Sequence, residues 1–348
     1  MEQLDMKSLY YPELESVIKS YGQPAFRAKQ LYQWLHNKLA ASYEEMTNLS
    51  KELRDKLSAD YPLNTLQEVQ ALHSENDGTV KFLFRLKDGR VIESVLMKYH
   101  HGNSVCISSQ VGCRMGCKFC ASTIGGKERD LLPSEMLDQI YRIQALTGER
   151  VSNVVVMGTG EPLDNYDHLI RFIRILTDGD GLNISARNIT VSTCGLPERI
   201  RSLANEELPV TLALSLHAPN NEIRKQLMPV AAKYELSEVL DAFRYYYDQT
   251  GRRLTFEYSL VDGVNDEEEH AKELCRLIKG LNCHVNLIPV NPIKERNYRK
   301  SDNKKIQTFK LILEKSRINV TIRREMGADI DAACGQLRKS YMDEHGVN

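Results

Sequence analysis

From about residue 104 onward, this 348-residue chain alternates short β-prone runs with helical stretches, and that rhythm limits its fold more than any other feature. β-prone runs lie at 104–108, 153–157, 188–192, 210–216, 254–260 and 284–290. Stretches with helical apolar spacing fall between them at 134–146, 166–176, 197–203, 236–249 and 267–278. Strands joined through helices run parallel, with right-handed crossovers. Six such units predict an α/β fold. They suit an incomplete (βα)6 barrel better than an open doubly wound sheet, although periodicity alone fits both. In a barrel, chemistry sits on the loops after the C-terminal ends of the strands. The most unusual segments fall there: after Ser108, after Met157, at Ser192, at Leu216 and after Val290.

The first ninety or so residues read differently. Apolar residues recur at helical spacing over 26–35, and again over 51–57 after the cap candidate Ser50. Extended runs at 66–72, 80–86 and 90–97 are separated by turns at Asn76-Asp77-Gly78 and Lys87-Asp88-Gly89. The expected organisation is a small N-terminal helical accessory domain with a hairpin over 1–90, then a core with a C-terminal extension over 91–348. Hydrophobic residues make up 42% and charged residues 27%, which excludes wholesale disorder. A net charge of −1 excludes a global attraction to polyanions but leaves room for local basic patches. Neither a secretory leader nor an apolar run of about 18 residues is readable, so a cytoplasmic location without a membrane contact is expected.

Eight cysteines are too few for a disulfide scaffold, and they are unevenly placed. Cys106, Cys113, Cys117 and Cys120 crowd together, while Cys194, Cys275, Cys283 and Cys334 are scattered. Cys113-Arg114-Met115-Gly116-Cys117-Lys118-Phe119-Cys120 puts three thiolates on one loop, directly after the first barrel strand. A cubane iron–sulfur cluster normally takes four cysteine ligands, so a compact triplet leaves one iron open. A zinc site needs a fourth donor, which Cys106, His100 or His101 could supply. Both groups fit the spacing, and three unliganded cysteines account for it poorly.

With Phe119 before the last cysteine, the triplet resembles that of the radical S-adenosylmethionine (SAM) superfamily. Met157-Gly158-Thr159-Gly160-Glu161-Pro162-Leu163-Asp164-Asn165 is similar to the Gly-Glu-Pro segment of that family. The segments Ser108-Ser109-Gln110-Val111-Gly112-Cys113, Ser215-Leu216-His217-Ala218 and Asp331-Ala332-Ala333-Cys334-Gly335-Gln336-Leu337 narrow the likeness. They resemble the RlmN-type dual-specificity adenine-C2 methyltransferases, relatives of the Cfr-type enzymes, over nearly the whole chain. The resemblance implies a partial (βα)6 radical-SAM barrel, an N-terminal domain that binds RNA, a 4Fe-4S cluster on Cys113, Cys117 and Cys120, and two SAM per turnover. It also implies SAM contacts at Gly160, Glu161, Ser192, Ser215, Leu216, His217 and Asn291. On their own, Ser192 and Asn291 read as strand-end residues with local hydrogen bonds, and His217 as a core histidine.

The same resemblance implies a reaction on adenosine in the peptidyl-transferase region of 23S rRNA and on the tRNA adenosine 3′ to the anticodon. Adenine C2 lies between two ring nitrogens and is too electron-poor to attack a SAM methyl group, so a radical route is required. In the implied sequence Cys334 takes a methyl from one SAM, and a second SAM yields a radical that abstracts hydrogen from that methyl. The carbon then adds to C2, Glu93 removes the C2 proton, and Cys106 attacks the tether to leave a Cys106–Cys334 disulfide. A flavodoxin- or ferredoxin-like electron donor and a monomeric enzyme belong to the same picture. The plain alternatives are a buried free thiol for Cys334, a buried strand residue for Cys106 and a solvent-facing strand residue for Glu93. Cys194, Cys275 and Cys283 read as packing. Basic stretches at 294–300, Lys304-Lys305, Arg252-Arg253 and Arg323-Arg324 are candidates for phosphate contact. Competing readings are a Cfr-like C8 methyltransferase and a metal-binding, redox-sensing module without enzymatic activity.

Overall fold

The protein is described by a computed structural model covering residues 5–291, 296–330, 337–338 and 341–342. Three helices open the chain: α1 (Tyr11–Ser20), α2 (Phe26–His36) and α3 (Lys51–Asp60). Ser50 caps α3 by accepting from the Leu53 amide at 3.3 Å. Their apolar faces enclose a separate core that includes Leu14, Ile18, Leu31, Leu35, Leu53 and Leu57. α1 lies outside the helical stretches readable in the sequence.

Three antiparallel strands follow, β1 (Gln67–His73), β2 (Val80–Arg85) and β3 (Val91–Tyr99), and then β4 (Gly102–Cys106). Phe82, Phe84, Ile92 and Leu96 from this meander enter the main core rather than the helical one. A two-stranded hairpin comes next, β5 (Gln110–Gly112) with β6 (Lys127–Asp130). The chain then alternates: α4 (Pro133–Thr147), β7 (Val151–Val156), α5 (Tyr166–Thr177), β8 (Ile189–Thr193), α6 (Pro197–Ala204) and β9 (Thr211–Ser215). It continues with α7 (Asn221–Leu227), α8 (Leu236–Thr250), β10 (Leu254–Leu260), α9 (Glu268–Leu277), β11 (Cys283–Pro289), α10 (Asn303–Lys315) and β12 (Asn319–Ile322).

The main sheet has the order β1-β2-β3-β4-β7-β8-β9-β10-β11-β12, and every pair from β4 to β12 is parallel. A doubly wound sheet reverses its strand order at a switch point. Here the order never reverses, so each crossover winds the same way and the sheet curls as part of a barrel. All six strands readable in the sequence are present. β12 adds a seventh parallel strand in the C-terminal extension, after a helix that also went unread.

The helical module docks on α4 and α5. Lys7 Nζ and Asp138 form a buried ion pair at 2.6 Å, and Asp138 also accepts from the Leu66 amide at 2.7 Å. His36 Nδ1 lies 2.9 Å from the Tyr141 hydroxyl. The extension returns to the meander at the other end of the chain: Asp329 accepts from Ser74 Oγ at 2.7 Å and from the Glu75 amide at 3.0 Å.

Candidate active site

The cysteine loop hangs from the β5–β6 hairpin, and backbone bonds pin its base. Gly112 has φ +73°, and a Cβ there would lie 2.0 Å from the Gly126 carbonyl oxygen, so no side chain fits. Cys113 N–H donates to that same oxygen at 2.9 Å, and Lys118 N–H donates to the Leu227 carbonyl at 2.9 Å. The thiols resist ionisation in this setting. Burial pushes Cys113 up to about 12, with Cys120 and Glu161 adding to it. Burial, followed by Cys120 and Cys113, lifts Cys117 well above an ordinary thiol. Clustered thiols whose ionised forms repel one another match a multiply charged metal centre, which deprotonates its ligands.

A zinc ion needs a fourth donor beside the three thiolates, whereas a cubane gives each thiolate its own iron. His100 and His101 stack beside Tyr99 at the β3–β4 turn, before β4, while the cysteine loop follows that strand's C-terminal end. As fourth zinc donors they are therefore excluded by position. The residues present fit the cluster.

The Gly-Glu-Pro segment leaves β7 and runs against the backbone leaving β4. Gly158 N–H donates to the Ile107 carbonyl at 2.9 Å, and the Ser109 and Gln110 amides donate to the Thr159 carbonyl at 2.9 and 3.1 Å. Gly160, at φ +117°, is packed so that a Cβ would lie 2.6 Å from Ser109 Oγ and 2.7 Å from Gln110 Cβ. Glu161 is buried, and its Oε2 accepts from the Cys194 amide at 2.8 Å while Oε1 accepts from Leu163 at 3.1 Å. Burial raises its pKa and these donors work in the opposite direction. Gln139 of α4, fully buried, clamps the β4 exit by accepting from Ser108 N–H at 2.8 Å and donating to its carbonyl at 3.0 Å.

Successive strand ends complete a hollow of about 260 Å³ lined by all three loop cysteines, Gly160, Glu161, Ser192, Ser215, His217 and Asn291. Ser192 Oγ lies 3.5 Å from Ser215 Oγ. His217 takes a left-handed φ of 54°, held because its ring nitrogen Nδ1 accepts from Ser259 N–H at 2.9 Å and its carbonyl accepts from Asn265 Nδ2 at 2.8 Å. Nδ1 being an acceptor, the ring proton sits on Nε2. Burial, then the charge of Arg224, depresses its pKa to about 3, so the imidazole is neutral. Phe119 packs edge-on against it, with ring centroids 4.7 Å apart. Leu216 is the exception among the expected SAM residues. Its side chain enters the core, as the alternation between Ser215 and His217 dictates, and it can offer the hollow only backbone.

A second hollow, of about 370 Å³, adjoins the first and shares Ile288, Asn291 and Arg323 with it. Its other walls include Val95 and Met97 of β3, Cys106 of β4, Arg324 and Met326. Glu93 shares the β3 face of Val95 and Met97. It is 5% exposed, so the solvent-facing reading of this strand position is wrong. Lys81 Nζ, at 0% exposure, lies 3.5 Å from Glu93 Oε2, and the Arg338 amide donates to Oε1. Cys334 and residues 294 and 295 lie outside the described residues.

The basic stretches separate by position. Arg323 and Arg324 line the second hollow. Arg252 precedes β10, at the end of the barrel away from the mouth, and donates to Thr211 Oγ1 at 2.8 Å; Arg253 is its neighbour at that end. These two do not face the site. Lys305 pairs with Glu267 at 2.8 Å and with Asp262 and Asp266 at 3.3 Å, while Lys300, which also lines the second hollow, pairs with Glu325 at 3.2 Å.

Two residues at the mouth escaped the sequence reading. Cys194, read as packing, also lines the first hollow and holds Glu161 through its amide. Glu257 of β10 is buried there, bonded by Asn286 Nδ2 at 2.9 Å, with its pKa raised by burial. A glutamate in the otherwise apolar and hydroxylic strand Leu254–Leu260 was the available signal. Cys275 and Cys283 do pack against the main core.

A one-way parallel barrel, a cysteine triplet after its first strand and a Gly-Glu-Pro turn after its second define a radical SAM enzyme. The sequence profile of the Radical SAM superfamily accordingly matches residues 107–275, and that of the "Ribosomal RNA large subunit methyltransferase N-terminal domain" matches residues 4–61. The chain is 65% identical to a probable dual-specificity RNA methyltransferase RlmN of Lachnoclostridium phytofermentans, over 99% of this chain and 96% of that one. It is 53% identical to the corresponding Clostridium novyi protein, over 95% and 96%. The crystal structure of a radical SAM methyltransferase from Sphaerobacter thermophilus superposes with a TM-score of 0.92 at 44% identity, covering 96% of this chain and 98% of that one. The chain belongs to the RlmN family of radical SAM methyltransferases. Membership of the superfamily implies SAM and a 4Fe-4S cluster as cofactors. No helix among the described residues is long and apolar enough to cross a membrane.

Proposed function

We propose that this enzyme methylates carbon 2 of adenosine in 23S rRNA and in tRNA, in the cytoplasm, as a monomer served by a flavodoxin- or ferredoxin-like electron donor. The observation that carries the reading is the adjacency of two hollows. One holds the cysteine triplet and Glu161, the other holds Cys106, and Asn291 and Arg323 stand in the wall between them. Relatives carry the RNA methyltransferase name, which supports RNA as the substrate.

Cys113, Cys117 and Cys120 would hold the cluster, which supplies an electron for reductive cleavage of SAM. Glu161, Ser192, Ser215, His217 and Asn291 would bind SAM. Neutral His217 offers Nε2–H as a donor, and Glu161 is a carboxylate of the sign an ammonium group needs. Cys334 would accept a methyl group from a first SAM by displacement, as an activated thiolate does; a second SAM is then consumed. Once the methyl carbon is bonded to C2, that carbon still carries its hydrogen. Glu93 is buried, ionically paired with Lys81 and on the face that leads to Cys106, which suits removal of the proton. A placed carboxylate accelerates such a transfer by roughly 10²–10⁴-fold. Arg338, four positions past Cys334 in the sequence, is bonded to Glu93 through its amide. Cys106 would then attack the Cys334 sulfur, so that an S–S bond forms as the bond from sulfur to the methylene carbon breaks. That carbon keeps the electron pair and takes up a proton to become the methyl group of the released RNA, and the disulfide is left for a cellular thiol reductant. Arg323 and Arg324 are the cations best placed to meet RNA phosphates.

Cys106→Ala tests this reading. The variant should form the RNA adduct and fail to release it, so protein purified from cells should carry a covalently bound RNA fragment that nuclease digestion reduces to a modified adenosine. Normal turnover by an RNA-free Cys106→Ala enzyme would overturn it.

A further inference from the structure

Beneath the cluster loop lies a buried cation that none of these steps uses. Arg224 is on α7, a seven-residue helix capped by Asn220, whose side chain accepts from Ile223 N–H at 2.9 Å. Ile223 and Leu227 of that helix pack into a cluster with Met115, Cys117, Phe119 and Cys194. Arg224 is 0% exposed. Its Nη2 donates to the Cys194 carbonyl at 2.5 Å, while Nε and Nη1 are buried without a hydrogen-bond partner among the described residues. Its charge acts on the Cys117 and Cys194 thiols, in the sense that favours their ionised forms.

A buried guanidinium with two unused donors and no carboxylate against it among the described residues is costly, because an uncompensated ion in a protein interior loses its hydration without recovering it. Glu161 does not fill the role. Its two oxygens are taken by the Cys194 and Leu163 amides, and its link to Arg224 runs through the backbone of Cys194, whose N–H donates to Glu161 at 2.8 Å and whose carbonyl accepts from Arg224 at 2.5 Å. The cysteine loop, packed on the same helix through Cys117, supplies such an anion once its thiols are ionised.

We propose that Arg224 is the fixed counter-charge of the iron–sulfur cluster, placed to stabilise its reduced form. Reduction adds one electron and one negative charge to an assembly that already carries three thiolates. A cation held in a low-dielectric wall lowers the energy of that extra charge and raises the reduction potential. Arg224 is a positioning residue here. It acts through the field it sets and through its bond to the Cys194 backbone, which also holds Glu161.

The inference rests on the cluster reading, and the iron content and visible spectrum of the reconstituted wild-type enzyme test that reading separately. Given a cluster, its potential is titrated anaerobically without SAM in wild type, Arg224→Lys and Arg224→Met, with a dye mediator supplying the electron. At a fixed potential, Arg224→Met should show the ratio of reduced to oxidised cluster lowered about tenfold, which for one electron is ~59 mV. Arg224→Lys, which keeps the charge, should stay within threefold of wild type. A change of less than threefold in Arg224→Met overturns the proposal. Should Arg224→Met fail to hold iron, thermal melting of cluster-free protein decides. Loss of an orphaned cation should leave cluster-free Arg224→Met melting no lower than cluster-free wild type. A clearly lower melt would make Arg224 an ordinary structural arginine and overturn the proposal.

Discussion

The two hollows at the barrel mouth are built in opposite ways. The cluster side is set by short-range backbone bonding: Cys113 to Gly126, the 107–110 stretch to the Gly158–Thr159 turn, and Glu161 to Leu163 and Cys194. Its serines, glutamates and histidine are fixed by neighbours within one or two strand ends. The Cys106 side is assembled from remote segments. Val95, Cys106, Ile306, Arg323 and Met326 line it from β3, β4, α10 and the segment after β12. Asn291, Lys300, Asn303, Gln307 and Glu325 are among its polar groups, and the buried Lys81–Glu93 pair lies on the neighbouring strands β2 and β3. A small cofactor of constant shape can be met by a prearranged wall. An RNA substrate that, on the proposed mechanism, enters and leaves a covalent bond is suited by a wall that several chain segments share.

The largest effect expected on this comparison comes from the cluster side. Replacing any one of Cys113, Cys117 or Cys120 by Ala should abolish iron binding after anaerobic reconstitution, measured as iron per chain, while the fold persists by circular dichroism. Retention of a full cluster by any of the three variants would break the assignment. Next in size is the ion pair across the meander. Lys81→Met leaves Glu93 buried without its cation and should cost roughly 3–5 kcal/mol in chemical denaturation. Adding Glu93→Gln to it should recover most of that loss. Additive costs would show that the two side chains do not act as a pair.

Gly160→Ala distinguishes the sides more finely. Its Cβ would enter the space of Ser109 and Gln110 at a φ of +117°, a strain of about 1–3 kcal/mol. SAM affinity should fall roughly tenfold or more by equilibrium dialysis, with iron content unchanged. The smallest effect belongs to neither hollow. His36, at the module–barrel contact, is held neutral by burial with its pKa depressed to about 3. The folded state therefore binds fewer protons than the unfolded one below pH about 6.5, so stability falls as pH drops through that range. The loss should be about 1.4 kcal/mol by pH 5.5. His36→Gln should flatten that slope in urea titrations between pH 7 and 5.5.

Local pattern made much of the barrel legible. Each of the first five β-prone runs is short and followed by a helical repeat, so strand and crossover announce each other; the sixth, at 284–290, is followed by α10, which went unread. α1 went unread although Leu14, Val17 and Ile18 recur at helical spacing and Pro12 stands in its first turn, where proline is favoured. β12 was missed because four residues of intermediate and exposed character carry little signal. The cysteine triplet and the Gly-Glu-Pro turn were readable because each is one continuous segment. Lys81 was not, since its partner lies on another strand and only the β2–β3 register brings them together. Arg224 stands in Asn221-Glu222-Ile223-Arg224-Lys225-Gln226, a run that reads as a solvated helix face, and only the packing of α7 under the cysteine loop buries it.

The most direct test of the account is a nucleoside analysis. The enzyme, reconstituted anaerobically, is supplied with a one-electron reductant, SAM carrying a deuterated methyl group, and either tRNA or a 23S rRNA fragment. The RNA is then digested and its adenosines are separated by mass spectrometry. The account predicts 2-methyladenosine containing label from SAM, formed by wild type and absent with Cys113→Ala. Adenosine methylated at carbon 8, or no methylated adenosine from an enzyme that holds its cluster and cleaves SAM, would contradict it.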